Sequence, residues 1–136
     1  MNTLSQKTLL LLDGNAIIHR AYHALPPFAT KDGTVVNAVY GFSMTLLSVI
    51  EKFHPTHVVA SFDLRTPTFR HKMSKEYKAK RIKAPDELYE QIPIVKEVVR
   101  AFQIPIYEKE GFEADDMIGS VAKRASQEGY EVIIVT

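Results

Sequence analysis

Four stretches of the chain are largely apolar: residues 8–12, 57–62, 104–107 and 132–135. Two of them are stopped abruptly by an acid, Asp13 after the first and Asp63 after the second. Continuous rather than alternating runs of this length predict strands covered on both faces, as in parallel sheets. Between them the pattern changes to helical spacing. Val39, Phe42, Leu46, Val49, Ile50 and Phe53 form one stripe, and Leu88, Ile92, Val95, Val99 and Phe102 a second. Ala114, Ile118, Val121, Ala122 and Ala125 form a third, ending before Gly129. Pro85, with Asp86 and Glu87 after it, suits a helix start, whereas Pro93 predicts a kink or a break. The order strand, helix, strand, helix, strand, helix, strand predicts an α/β fold with a mainly parallel, Rossmann-like sheet flanked by helices.

Residues 64–84 are too long for a plain strand-to-helix connection. They also hold eight of the seventeen Lys and Arg. Eight Lys and Arg lie between Arg65 and Lys83 against the single acid Glu76, whereas the span from Asp86 to Glu131 has eleven acids and five Lys or Arg. The net charge of +1 conceals this division. Its two readings are a solvated basic face and a cationic segment that handles an anion. The 136 residues suffice for one domain, expected to run over 1–136, and show no internal repeat. There is no cysteine, which excludes disulfides and thiolate metal sites. The N-terminal apolar run is too short for a signal or membrane segment, so a cytoplasmic protein without a membrane partner is expected. An apolar strand as the last element predicts a chain truncated at its C-terminus.

The acids carry the candidate chemistry. In an open α/β sheet ligands bind beyond the carboxyl ends of the strands. Asp13 and Asp63 stand at two such ends, and the third strand leads through a short loop to Glu113, Asp115 and Asp116. Taken singly, Asp-Gly after a strand is a turn, Asp63 a loop residue, and the triplet dipole chemistry at a helix start. Taken together they predict carboxylates converging on one edge and neutralised by divalent cations. Oxygen ligands alone favour Mg²⁺ or Mn²⁺, two of which, roughly 4 Å apart, serve phosphodiester cleavage. The five histidines show no metal-ligand spacing and read as structural. In "FRHKMSKEYKAKR", residues 69–81, cations interleave with Tyr77, a composition that meets phosphates and stacks on bases. Lys78 and Arg81 are the candidates for stabilising charge on a scissile phosphate.

"LLLLDGNAIIHRAYHAL", "VVASFD", "FRHKMSKEYKAKR" and "GFEADD", in this order, resemble the 5′-nuclease (flap endonuclease) family, and most closely the N-terminal 5′→3′ exonuclease domain of bacterial DNA polymerase I. The likeness covers essentially the whole chain. It implies a PIN-like fold with a basic helical arch over 64–84, and two-metal cleavage of 5′ flaps, nicked duplex and RNA-primed ends in replication and repair. It implies further that Asp13, Asp63, Glu113, Asp115 and Asp116 hold the metals, directly or through water. Lys78 and Arg81 then contact the scissile phosphate, with Tyr77 beside them, and Arg20, Tyr22 and Arg70 help to bind DNA. The family's last strand runs into a Gly-Asp-x-Asp segment with further ligands and a segment that grips duplex DNA, both expected beyond Thr136. A monomer is implied, with or without a polymerase domain in the parent chain. Two other readings stay open: a DNA-binding fragment without catalysis, and an aspartate phosphatase or phosphoreceiver. The latter wants Asp-x-Asp after the first strand, where this chain has Asp13, Gly14 and Asn15.

Overall fold

The computed structural model describes residues 6–64 and 85–136. Arg70, Tyr77, Lys78, Arg81 and the proposed arch lie outside the described residues. Eight elements follow one another: β1 (Thr8–Asp13), α1 (Gly14–Ala24), α2 (Asn37–Phe53), β2 (His57–Ser61), α3 (Asp86–Ala101), β3 (Ile106–Tyr107), α4 (Ala114–Gln127) and β4 (Glu131–Val135). The four strands form one parallel sheet in the order β3-β2-β1-β4, with Leu10 opposite Val58 on one side and Ile133 on the other.

Alternate residues of the strands serve two different layers, as the period of a strand requires. Leu10 and Leu12 face a core built with Ile17 and Ile18 of α1, Phe42 and Leu46 of α2, and Leu88, Val95 and Val99 of α3. Leu9 and Leu11 face the other way, onto Ile118 and Ala125 of α4, with Val59 and Val132 alongside. Three helices therefore cover one face and a single helix the other. That explains why the strand sequences are apolar throughout rather than alternating.

The structure differs from the sequence reading at three points. An eleven-residue helix, α1, absent from the predicted order, follows β1 directly, with Asp13 as its N-cap. Gly14 is required there by packing, because a Cβ would lie 2.3 Å from the buried ring of Phe62. Pro93 does not break its helix, since α3 continues through it to Ala101. The third strand is shorter than expected, two residues pairing Ala60 with Ile106 and Ser61 with Tyr107.

Helices α1, α2 and α3 are joined by a buried polar network. The Gln91 carboxamide oxygen accepts from the backbone N–H of Ala38 (2.7 Å) and Val39 (3.1 Å), in the first turn of α2. Its Nε2 donates to Asn37 Oδ1 (2.9 Å) and to the Glu87 carbonyl (3.2 Å). Asn37 in turn donates to the carbonyls of Tyr22 and Leu25 at the end of α1. α2 has no side-chain cap of its own, so Gln91 satisfies donors that its N-terminus leaves open.

Candidate functional site

The strand order places the reversal of direction at β1. From there the chain builds β2 and β3 to one side, then crosses over to lay β4 on the other. The crevice beyond the carboxyl end of β1 is thus the expected ligand position of an open α/β sheet. Asp13 is the last residue of β1 and pairs in register with Ser61, the last of β2. Asp63 follows two residues later, and the N-terminus of α4 brings Glu113, Asp115 and Asp116 to the same edge.

Asp13 is buried, 7% exposed, and accepts from the Ala16 N–H at 3.1 Å. Thr136 Oγ1 donates to its other oxygen at 3.5 Å. Burial pushes the Asp13 carboxyl up to about 6; the Ala16 bond works against this. A hydrogen bond with the Asp115 carboxyl, and the negative charges of Asp115 and Asp63, add to the rise. Three acids from three different elements are therefore close enough to feel one another.

Asp63 is held by both its backbone and its side chain. Its N–H donates to Asn15 Oδ1 at 2.8 Å, and its carboxylate accepts from the Ala114 N–H, the first residue of α4. Glu113 and Asp116 are engaged with each other in a capping box: the Asp116 carboxylate accepts from the Glu113 N–H at 3.0 Å, and the Glu113 side chain accepts from the Asp116 N–H. Both acids suit the positive end of the α4 dipole. The helix-start reading and the site reading of the triplet thus describe different members of it. Glu113 and Asp116 close the helix start, while Asp115, on the exposed side, faces Asp13.

Among the described residues, no group of three or more His, Asp or Glu side chains is drawn tightly enough to hold a metal ion. The donor chemistry nevertheless fits a hard divalent cation. The donors are carboxylates alone, from separate elements, and one is desolvated and raised by its neighbours' charge, a repulsion a cation would relieve. Arg20 is exposed on α1, on the wall of a cavity of about 740 Å³ that Met44, Ile133 and Thr136 also line. Because Thr136 also bonds Asp13, this cavity reaches the carboxylate edge. Tyr22 is turned toward α3, its hydroxyl donating to Glu87 at 3.4 Å.

Sequence reasoning missed Asn15, Ser61 and Thr136. Ser61 Oγ donates to the Tyr107 carbonyl (2.9 Å) and reaches the Ala114 carbonyl (3.5 Å), tying β2 to β3 and α4. The one available signal was the position of Asn15, two residues after a strand-end acid.

Residues 8–136 match the family described as 5'-3' exonuclease, N-terminal resolvase-like domain. The chain belongs to this family. Among curated relatives of this exonuclease domain, DNA polymerase I of Bacillus subtilis is 48% identical over 127 residues, covering 93% of this chain and 14% of the relative. DNA polymerase I of Bacillus caldotenax is 46% identical over 131 residues, 96% of this chain and 15% of the relative. A 5'-3' exonuclease of Aquifex aeolicus is 44% identical over 128 residues, 94% of this chain and 44% of the relative. The chain thus spans less than half the length of each of these relatives. Among solved structures, a bacteriophage T5 protein co-crystallised with metal ions shares the fold with a TM-score of 0.74 at 19% identity, covering 96% of this chain and 49% of its own. A T5 flap endonuclease complex with DNA and metal ions superposes with a TM-score of 0.68 at 18% identity, covering 96% and 48%.

Proposed function

We propose that this exonuclease-family domain supplies the metal-binding edge and the phosphate-guiding segment of a Mg²⁺- or Mn²⁺-dependent 5′→3′ exonuclease and 5′-flap endonuclease. Its substrate is DNA with a flap, a nick or an RNA-primed end, processed as part of a DNA polymerase I in primer removal and repair. One observation carries the reading: Asp13, Asp63 and Asp115 approach one another at the switch point of a parallel sheet closely enough to perturb the Asp13 carboxyl. A surface of this kind, charged and partly desolvated, is a poor structural device and a good cation site.

Asp13, Asp63, Glu113, Asp115 and Asp116 would hold the ions, directly or through water. Bound there, a pair of divalent ions supplies Lewis-acid stabilisation of the attacking and leaving oxygens. The chain's own residues do the rest. Asp13 is fixed by the Ala16 N–H and Asp63 by the Ala114 N–H, so neither carboxylate has to be reordered when substrate arrives. Arg20, Tyr22 and Arg70 help to bind DNA, the arginines by neutralising backbone phosphates, and Tyr77 offers a flat apolar surface to the displaced strand. Lys78 and Arg81 stabilise the charge that develops on the scissile phosphate.

The test is cleavage of a 5′-flap DNA in Mg²⁺ by the full-length protein that carries this sequence. Asp115→Asn and Lys78→Ala are each expected to lower the rate by about a hundredfold or more, the scale of losing one preorganised charge. Flap binding measured in EDTA should fall much less for Lys78→Ala. Binding without Mg²⁺-dependent cleavage by the unaltered protein would leave a DNA-binding module and remove the nuclease reading.

A further inference from the structure

The acids of the site come from separate elements, and something must set their spacing. β1 and β2 are in register as far as Asp13 and Ser61, and the Phe62 N–H still reaches the Tyr107 carbonyl of β3 at 3.4 Å; the Asp63 N–H turns away from the strands. One side chain bridges that gap. Asn15, in the first turn of α1, accepts from the Asp63 N–H through Oδ1 at 2.8 Å. The same turn is anchored to β1 by the Asp13 cap on Ala16. On the far side, the Asp63 carboxylate accepts from the Ala114 N–H, and Asp115 is the next residue. A continuous path of hydrogen bonds therefore runs from Asp13 through the first turn of α1 and Asn15 to Asp63, and on to the start of α4. Asn15 is the one side chain in that path that carries no charge.

We infer that Asn15 is a positioning residue of the candidate metal site, a neutral strap that sets the distance of Asp63 from Asp13; this rests on the reading of the acids as cation ligands. A neutral acceptor suits the role. An amide oxygen can hold the Asp63 backbone without adding a further negative charge to a crowded edge, and it leaves the carboxylate lone pairs for the ion. Partners that orient metal ligands from behind typically change metal affinity by about 10- to 100-fold when removed.

The experiment uses the 136-residue chain, with Mn²⁺ binding followed by calorimetry and the Asp63 amide followed by NMR hydrogen exchange in EDTA. Asn15→Ala is expected to weaken Mn²⁺ binding about tenfold or more and to speed exchange at Asp63. The rest of the amide spectrum should be largely retained. Asn15→Asp keeps an acceptor oxygen, so the Asp63 amide should stay protected and Mn²⁺ should bind at least as well as in the unaltered chain. Unchanged Mn²⁺ affinity in Asn15→Ala overturns the inference while leaving the nuclease reading intact. So does weak binding by Asn15→Asp with a protected Asp63 amide, which also decides the matter if Asn15→Ala does not fold. Absence of saturable Mn²⁺ binding by the unaltered chain also overturns the inference, whereas the nuclease reading is decided separately by the flap assay on the full-length protein.

Discussion

Asp13 caps the first turn of α1 and at the same time faces Asp115 and Asp63. Its carboxyl is raised from 3.8 to about 6, so the folded protein holds this proton more tightly than the unfolded chain. The stabilisation from that proton is fully present below the unfolded value and is lost as pH rises through about 6. In EDTA, the melting temperature is expected to carry a component that falls between about pH 4 and pH 6, and Asp13→Asn should abolish it. Saturating Mg²⁺ should counter the fall, because binding favours the ionised carboxyl. A melting profile identical in Asp13→Asn and the unaltered chain would show that Asp13 ionises no differently in the fold. At this scale the acids were legible, because strand-end carboxylates stand out against apolar runs. Asn15 and Ser61 were not: a polar residue near a turn carries no pattern, and their roles depend on which backbone group lies opposite.

Helix α2 depends on another helix for its beginning. With Val36 as N-cap and no side-chain cap, its first N–H groups are served by Gln91 of α3, which is 1% exposed. Gln91→Leu fits the volume but removes the carboxamide that the Ala38 and Val39 amides and Asn37 Oδ1 bond in the core. A loss of roughly 1–3 kcal/mol is expected, the cost of stranded buried donors, read as a lower urea midpoint at unchanged slope. Little or no shift would mean that water replaces the carboxamide. Elements with long apolar stripes, α2, α3 and α4, were visible in the sequence because their periodicity runs over many residues. α1 was hidden. Its buried set, Ile17, Ile18 and Ala21, is too brief to establish a period, and it opens with Asp-Gly, which local rules read as a turn. At Pro93 the break did not occur, for the opposite reason. The local preference is real, but Leu88, Val95 and Val99 on either side of it are all fully buried, and that packing carries the helix through.

Among the described residues the packing is lopsided. Thirteen buried residues form the core on the face of α1, α2 and α3, against four beneath α4. Yet α4 carries two of the five candidate ligands, Asp115 and Asp116, and a third, Glu113, is its N-cap. Elements with little apolar burial open first, so α4 amides should exchange faster than those of α2 in the metal-free chain. A cation bound by Asp13 and Asp115 ties α4 to the central strand. Mg²⁺ or Mn²⁺ is therefore expected to slow exchange in α4 strongly and in α2 only slightly, measured by hydrogen–deuterium exchange. Equal protection of the two helices would place the ion elsewhere. The parallel α/β architecture could be read from the sequence, but this imbalance could not. It depends on which side of the sheet each crossover takes.

The central strand is also the first to be made. β1 pairs with β2 once residue 61 exists, but its other edge is filled by β4, and Thr136 meets Asp13 across 123 residues of sequence. Closing so long a loop is slow, and on a ribosome it waits for synthesis to catch up. During that interval Asp13 and Asp63 are already adjacent on a β1–β2 pair, while Asp115 has not yet arrived. A nascent chain therefore meets cations with half a site and gains little from them. On the proposed reading a cation would join only once α4 has been made, and until β4 is in place the open edge of β1, lined by Leu9 to Leu12, is the surface a chaperone would have to guard.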